Sequence, residues 1–309
     1  MMIKKIIPLF LIIPIATYAA DDTELNSALR ATYTACVGID ENLSELKKMA
    51  GINTAITAVG TGLGAGAVAV GVAKSKTDDI LQKKYQELRI AASQYQEDEP
   101  SDDARRNFQS HIGQISVPRT NVETSNIAQE IDELTKKSKS LGNWRTGLMA
   151  GNTATNIAGA VIAGKNKTDS DLDTQIDNCR AAVAHLRQII PMARVSGTDV
   201  TEATNIASIC GEFNYIDISK INKRARGAMI SSIVGAVAGG TGTVVSAVAN
   251  TDKVRAGAWE QEKNLNTAAN VLAGTGTVAS ASATIFNATQ ISAIKRVASV
   301  AEKCTEVLK

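Results

Sequence analysis

Aromatic side chains make up only 4% of this 309-residue chain, and its two histidines are His111 and His185. Both shortages exclude functions. So few rings leave no stacking platform for nucleic-acid bases. Two histidines leave little for a metal centre, a nucleophile–base pair or general acid–base work. His185 stands between Ala184 and Leu186 and reads as the flank of a packed helix, while His111 falls in a loop without a recognisable partner. Proline is also scarce, at five residues. Excess charge is missing too. Lys4 and Lys5 lie in a leader, and their removal lowers the basic count from 33 to 31 against 31 acids. The mature chain is therefore formally neutral, without the basic surplus of a nucleic-acid binder.

The leader has the layout of a secretory signal: Lys4 and Lys5, the apolar run Ile6 to Ile15, then Thr17 and Ala19 as the small pair before a cut after Ala19. Its apolar run is too short to span a bilayer, which needs about 20 residues. Residues 1–19 are read as a signal peptide, which places the chain in the periplasm, cell envelope or extracellular space. Four cysteines then fall in an oxidising compartment, and their spacing matches no zinc pattern. Disulfides are expected.

Four stretches of Gly, Ala, Thr, Ser and aliphatic residues dominate what remains: Gly51 to Ala73, Gly147 to Gly164, Gly227 to Ala249 and Ala268 to Phe286. No strand pattern accompanies them. From Leu25 the apolar positions Leu29, Thr32, Cys36, Ile39, Leu43 and Leu46 follow helical spacing, with Gly38 the one weak point. In the first stretch Ile52, Ile56, Val59 and Leu63 form the expected packed stripe. Glycines four residues apart let helix backbones approach closely. The candidates for such packing are Gly60, Gly62, Gly64, Gly66, Gly151, Gly235, Gly239 and Gly274. In water each glycine costs about 1 kcal/mol against alanine, so close packing should compensate them. Lys74 to Asp79 is expected to break the first long helix, residues 97–120 form an inserted loop, and Pro191 should close the helix carrying Cys179.

Leu172, Ile176, Cys179, Val183 and Val297, Ala301, Cys304, Leu308 share spacings of four, three and four. The chain therefore reads as a diverged duplication, residues 20–195 and a shorter 196–309, each a hairpin of two small-residue helices, the first with an inserted helix and loop. An antiparallel hairpin brings the start of its first helix beside the end of its last. This predicts the bonds Cys36–Cys179 and Cys210–Cys304. The fold class is all-α: elongated helical hairpins or a bundle with close-packed Gly/Ala/Thr-rich helices, internally duplicated.

No catalytic, cofactor-binding or metal-ligating residue emerges. Gly159 to Asn166 is one residue short of a phosphate loop, has Asn where Ser or Thr is needed, and follows no strand. Asp78-Asp79 and Asp102-Asp103 read as caps and solvated loop. The expected function is a non-enzymatic, exported helical protein of the cell envelope with a binding or structural role, its partner an unspecified protein or itself. The alternative is a membrane-inserting, pore-type protein, since Ile52 to Ala73 and Ile230 to Ala249 are uncharged over about a bilayer's span. Trp144 and Trp259, each before a small-residue stretch, are expected to cover the end of a bundle rather than to anchor at an interface.

Overall fold

A computed structural model of the protein describes residues 22–97, 120–168, 170–251, 254 and 259–309. The expected signal peptide and most of the 97–120 loop, with His111, lie outside the described residues. Among the described residues there is no strand. The helices are α1 (Asp22–Cys36), α2 (Ile39–Glu97), α3 (Thr120–Lys165), α4 (Ser170–Val195), α5 (Thr201–Ile209), α6 (Ser219–Ala249) and α7 (Trp259–Leu308), with a 3₁₀ turn at Cys210–Tyr215. Gly38 separates α1 from α2 at φ +89°, a left-handed conformation that suits glycine.

Two expected breaks are absent. Lys74 to Asp79 does not interrupt α2, because Lys74 and Asp78, four residues apart, pair within the helix at 2.6 Å. Pro191 lies inside α4. Ile189, Ile190 and Ala193 are buried around it, and that packing offsets the ~3 kcal/mol of an interior proline.

The chain forms two compact units, each assembled from separated segments. The first takes residues 1–47, 168–220 and 292–309. Its interior is conventional: Leu25, Ile39, Leu43, Ile176, Val183, Leu186, Ile206, Phe213 and Val297 are buried. Helix α1 packs on α4, and Gln175 Nε2 donates to the Val37 carbonyl at 2.9 Å. Arg180 donates to the carbonyls of Phe213 and Ile216, tying the 3₁₀ turn to α4. Cys36 is bonded to Cys179 and Cys210 to Cys304, as the hairpin spacing predicts.

The second unit takes residues 48–167 and 221–291. Here α2 and α3 run antiparallel, from Gly60 against Thr155 to Asp78 against Ser138. Likewise α3 opposes α6, from Asn156 at Gly235 to Arg145 at Ser246. Helix α6 opposes α7, with Gly227 at Phe286 and Gly242 at Leu272. Helix α7 closes the ring on α2 through Thr277 at Gly64 and Glu262 at Lys74. This is a four-helix bundle. Its buried positions alternate by four and three: Asn53, Thr57, Gly60, Gly64, Ala67, Gly71, Lys74, Asp78 on α2, and Ser138, Gly142, Arg145, Met149, Asn152, Asn156, Gly159, Ala163 on α3. That spacing is the inward seam of coiled-coil packing, filled here with small and polar residues.

The glycine expectations divide. A Cβ on Gly64 would fall 2.5 Å from Thr277 Oγ1 and 3.2 Å from the Thr277 Cα, and one on Gly60 2.5 Å from Thr155 Oγ1. Gly235 meets Asn156, Gly239 meets Thr153, Gly66 meets Leu148 and Gly151 meets Leu63. Gly62 and Gly274 require correction: their Cβ positions face open space, since both lie off the inward seam. On α7 the close approach belongs to Gly276, whose Cβ would stand 3.6 Å from the backbones of both Gly235 and Gly239. Gly64→Ala should therefore lower the unfolding midpoint, and Gly62→Ala should leave it unchanged or raise it, by up to ~1 kcal/mol of helix propensity. Equal midpoints for the two variants would refute this division.

Candidate functional site

The interior of the four-helix bundle holds the chain's concentrated polar chemistry, stacked in layers. At one end Lys74, fully buried, donates to Asp78 at 2.6 Å and to Glu262 at 2.9 Å. Ser138 also donates to Asp78, and Asn266 Nδ2 reaches its second oxygen at 3.2 Å. Arg145, also fully buried, donates to Ser246 Oγ at 2.9 Å, to Asn270 Oδ1 at 3.2 Å and to Asn266 Oδ1 at 2.7 Å. Two cations and two anions thus share one hydrogen-bonded cluster with no net formal charge. A buried charge is tolerable only when so paired.

Ala67, Met149 and Ala273 form the next, apolar layer. Below it Asn156 Nδ2 donates to Asn152 Oδ1 at 2.9 Å and to Ser280 Oγ at 2.8 Å. Asn53 Nδ2 then donates to Asn287 Oδ1 at 3.0 Å, in a layer where Asn53 Oδ1 and Ser232 Oγ are buried without a partner. Finally Gln290 Nε2 donates to the Asn166 carbonyl at 2.8 Å. At each of these levels side chains from facing helices meet.

The outside of the same bundle is the reverse. On α2 the exposed residues from 52 to 73 are Ile52, Ala55, Ala58, Val59, Gly62, Ala65, Ala69, Val72 and Ala73. On α3 they are Gly147, Ala150, Ala154, Ile157, Val161 and Gly164. Ile230, Ile233, Val234, Val237, Val244, Ala247 and Val248 face outward on α6, and Ala268, Val271, Val278, Ile285, Phe286 and Ala288 on α7. Between residues 230 and 248 of α6 and 268 and 288 of α7 the exposed exceptions are Thr241 and Thr275, and the Thr275 hydroxyl donates to its own helix at the Val271 carbonyl; Asn264, Thr267, Thr289 and Ser292 are exposed nearer the ends of the α7 gap. The expectation that Ile52 and Val59 pack inward is thus overturned: they are 48% and 57% exposed. Asn53 and Thr57 take the inward seam beside them. Trp144, expected to cover a bundle end, is instead 66% exposed.

These outward faces are free of charge over a common depth. Consecutive charges on α3 are Arg145 and Lys165, 20 residues apart (165 minus 145), or about 30 Å of helix. The matching gaps run from Lys48 to Lys74, Arg226 to Asp252 and Lys263 to Lys295. The antiparallel registers bring the four gaps side by side. Two of the four helices, α2 and α6, are long and apolar enough to cross a membrane by length and composition, and their most apolar windows are only 28% and 33% buried.

Elsewhere the chain offers less. Among the described residues Cys36, Cys179 and Cys304 place their sulfurs within 4.8 Å of one another. All are disulfide-bonded and lack the thiolate a metal requires. Gly159 to Lys165 lies within α3, with no strand before it, so the phosphate-loop likeness has no structural support. His185 is exposed on α4. The cluster of Lys74, Asp78, Arg145, Glu262 and Asn266 was not anticipated. Its signal was present, because Lys74 and Asp78 continue the four–three seam that begins at Asn53.

No protein-family model, curated protein or solved structure matches this chain.

Proposed function

We propose that this protein is a membrane protein whose α2–α3–α6–α7 bundle spans a bilayer, with a non-enzymatic, structural or anchoring role in the cell envelope. The observation that carries the reading is the belt: four helices, charge-free in register over about 30 Å, apolar outside and polar inside. That depth matches the ~30 Å hydrocarbon core of a bilayer. In water the arrangement is unfavourable, because soluble proteins rarely expose a contiguous apolar surface beyond a few hundred Å². In lipid it is the favoured one, since membrane helices associate through small residues and interhelical hydrogen bonds, and polar groups face the bundle interior.

The disulfide-bonded unit serves as an internal control. The same chain there buries its aliphatic residues, and among the described residues its exposed large hydrophobics are Tyr33, Val195 and Tyr215. Composition alone therefore does not produce the inverted pattern. The two disulfides fit an oxidising aqueous phase, and a signal peptide at 1–19 supplies the route. The exposed Trp144, one residue before Arg145 at the belt's edge, suits an interfacial anchor. The hydrogen-bonded side chains at successive levels of the interior favour an anchor over a channel.

Membranes washed at alkaline pH and high salt should retain the mature protein in the pellet. Quantitative release into the supernatant would overturn the proposal in favour of a soluble envelope protein whose belt is covered by protein.

A further inference from the structure

We propose that the Lys48/Lys165/Arg226 rim of the bundle binds the headgroups of anionic phospholipids, whose acyl chains lie along the apolar belt beneath. The inference rests on the membrane reading and adds the chemistry of the lipid and the end of the bundle that holds it.

The two rims of the belt differ in charge: one is mixed, the other predominantly basic, with Glu45 on α2 the nearest acid before Lys48. At one rim the charges are mixed, and Lys74, Asp78, Arg145 and Glu262 are turned inward and consumed by one another. At the other rim the charges of this unit are Lys48 on α2, Lys165 and Lys167 after the α3 span, and Lys223, Arg224 and Arg226 on α6. All six are basic, and the unit carries no acid on residues 48–69, 146–167 or 221–251. Lys48, Lys165, Lys167, Lys223 and Arg226 are exposed. Arg224 is partly covered and donates to the Thr289 carbonyl.

These charges share one level of the bundle, Lys48 at the α2 corner and Lys165, Lys223 and Arg226 on the adjoining α3 and α6. Gly159 meets Asn53 and Ser232, and Gly164 meets Met229, so Lys48, Lys165 and Arg226 leave the belt at the same depth. On α6 the exposed residues run Lys223, Arg226, Ile230, Ile233, Val237, spaced three and four apart, on one helical stripe. On α2 the stripe runs Lys48, Ile52, Ala55, Val59. Each stripe passes from a cation to an uncharged aliphatic surface, the sequence of chemistries an anionic lipid presents from headgroup to tail. Long basic side chains at helix ends extend to the interface, where a phosphate accepts their hydrogen bonds. A basic cluster at a membrane edge attracts anionic lipid by about 1 kcal/mol per cation, or about fivefold.

The test uses the full mature chain, purified in mild detergent and offered equal amounts of phosphatidylglycerol and phosphatidylcholine with matched acyl chains. Native mass spectrometry counts the lipids retained. Phosphatidylglycerol should be retained preferentially. The variant K165Q/K223Q/R226Q should reduce that preference at least tenfold while its helical circular dichroism and both disulfides persist. Equal retention of the two lipids by the wild type would overturn the inference. So would an unchanged preference in the variant, or displacement of phosphatidylglycerol by millimolar inorganic phosphate, which marks a free-phosphate site. None of these outcomes touches the belt, which the alkaline wash tests separately. If the triple variant does not fold, K223Q/R226Q should still reduce the preference at least fivefold, and an unchanged preference there overturns the inference.

Discussion

Lys74→Met should destabilise the protein by about 3–5 kcal/mol, the usual cost of breaking a buried ion pair by removing one partner. Lys74 is the one ammonium bonded to both Asp78 and Glu262, and all three are at least nine-tenths buried. Among the described residues its loss leaves the two carboxylates with the donors Ser138 and Asn266, both of which serve Asp78. Glu262 then has no bonded cation among the described residues, so K74M/E262Q should cost less than K74M alone. That non-additivity is what a double-mutant cycle reports for residues sharing one network. The comparison is Lys76→Met, two residues along α2 on the exposed face, which should change stability by less than about 0.5 kcal/mol. Unfolding of the purified variants in one detergent measures all of these. If K74M unfolds with K76M, the cluster contributes nothing, and the polar seam is not what holds this end of the bundle.

Replacing Cys36 and Cys179 together by alanine should cost about 5 kcal/mol, from the denatured-state entropy released when a loop of that length opens. The bonded residues are 143 apart in sequence, and Cys210 and Cys304 are 94 apart, so the second pair should cost nearly as much. Both values are of the order of a whole domain's stability. Reduction should therefore unfold the disulfide-bonded unit. A single substitution should do more damage than the pair. Cys36→Ala frees the Cys179 thiol within 4.8 Å of the Cys304 sulfur, close enough for a thiolate to attack the remaining disulfide. Scrambled species on a non-reducing gel for C36A, absent for C36A/C179A, are the expected readout. Identical unfolding of C36A/C179A and the wild type under oxidising conditions would contradict the stabilising role.

The disulfide pairing was legible because cysteine position along a helical hairpin is a question of order and length. Cys179 and Cys304 occupy equivalent places in their apolar patterns, and Cys36 and Cys210 each precede a small-residue stretch. Antiparallel helices then bring the right ends together. The all-helical class was legible for similar reasons: long four–three patterns, few prolines, no alternation. What misled was the habit of assigning large aliphatic residues to the inside. On α2, Ile52, Ile56, Val59 and Leu63 form a helical stripe, but so do Asn53, Thr57, Gly60 and Gly64. Both stripes are periodic, and periodicity does not say which one faces the partner helices. The same habit hid the charge cluster, since Lys74 and Asp78 in an apolar run look like a terminus. They remain inside α2 because Glu262 and Asn266, 188 residues further on, complete their hydrogen bonds.

By itself, then, the sequence determined the all-helical class, the partner of each cysteine and the charge-free length of each small-residue stretch, because these follow from spacing along one chain. Which face of each helix is buried was decided only by the tertiary structure. Four backbones approach closely where Gly60, Gly64, Gly235 and Gly276 leave room. That approach admits asparagine, serine and paired charges to the interior and turns valine and isoleucine outward. The choice belongs to the helices jointly, because each polar group buried on one needs a hydrogen-bond partner supplied by another.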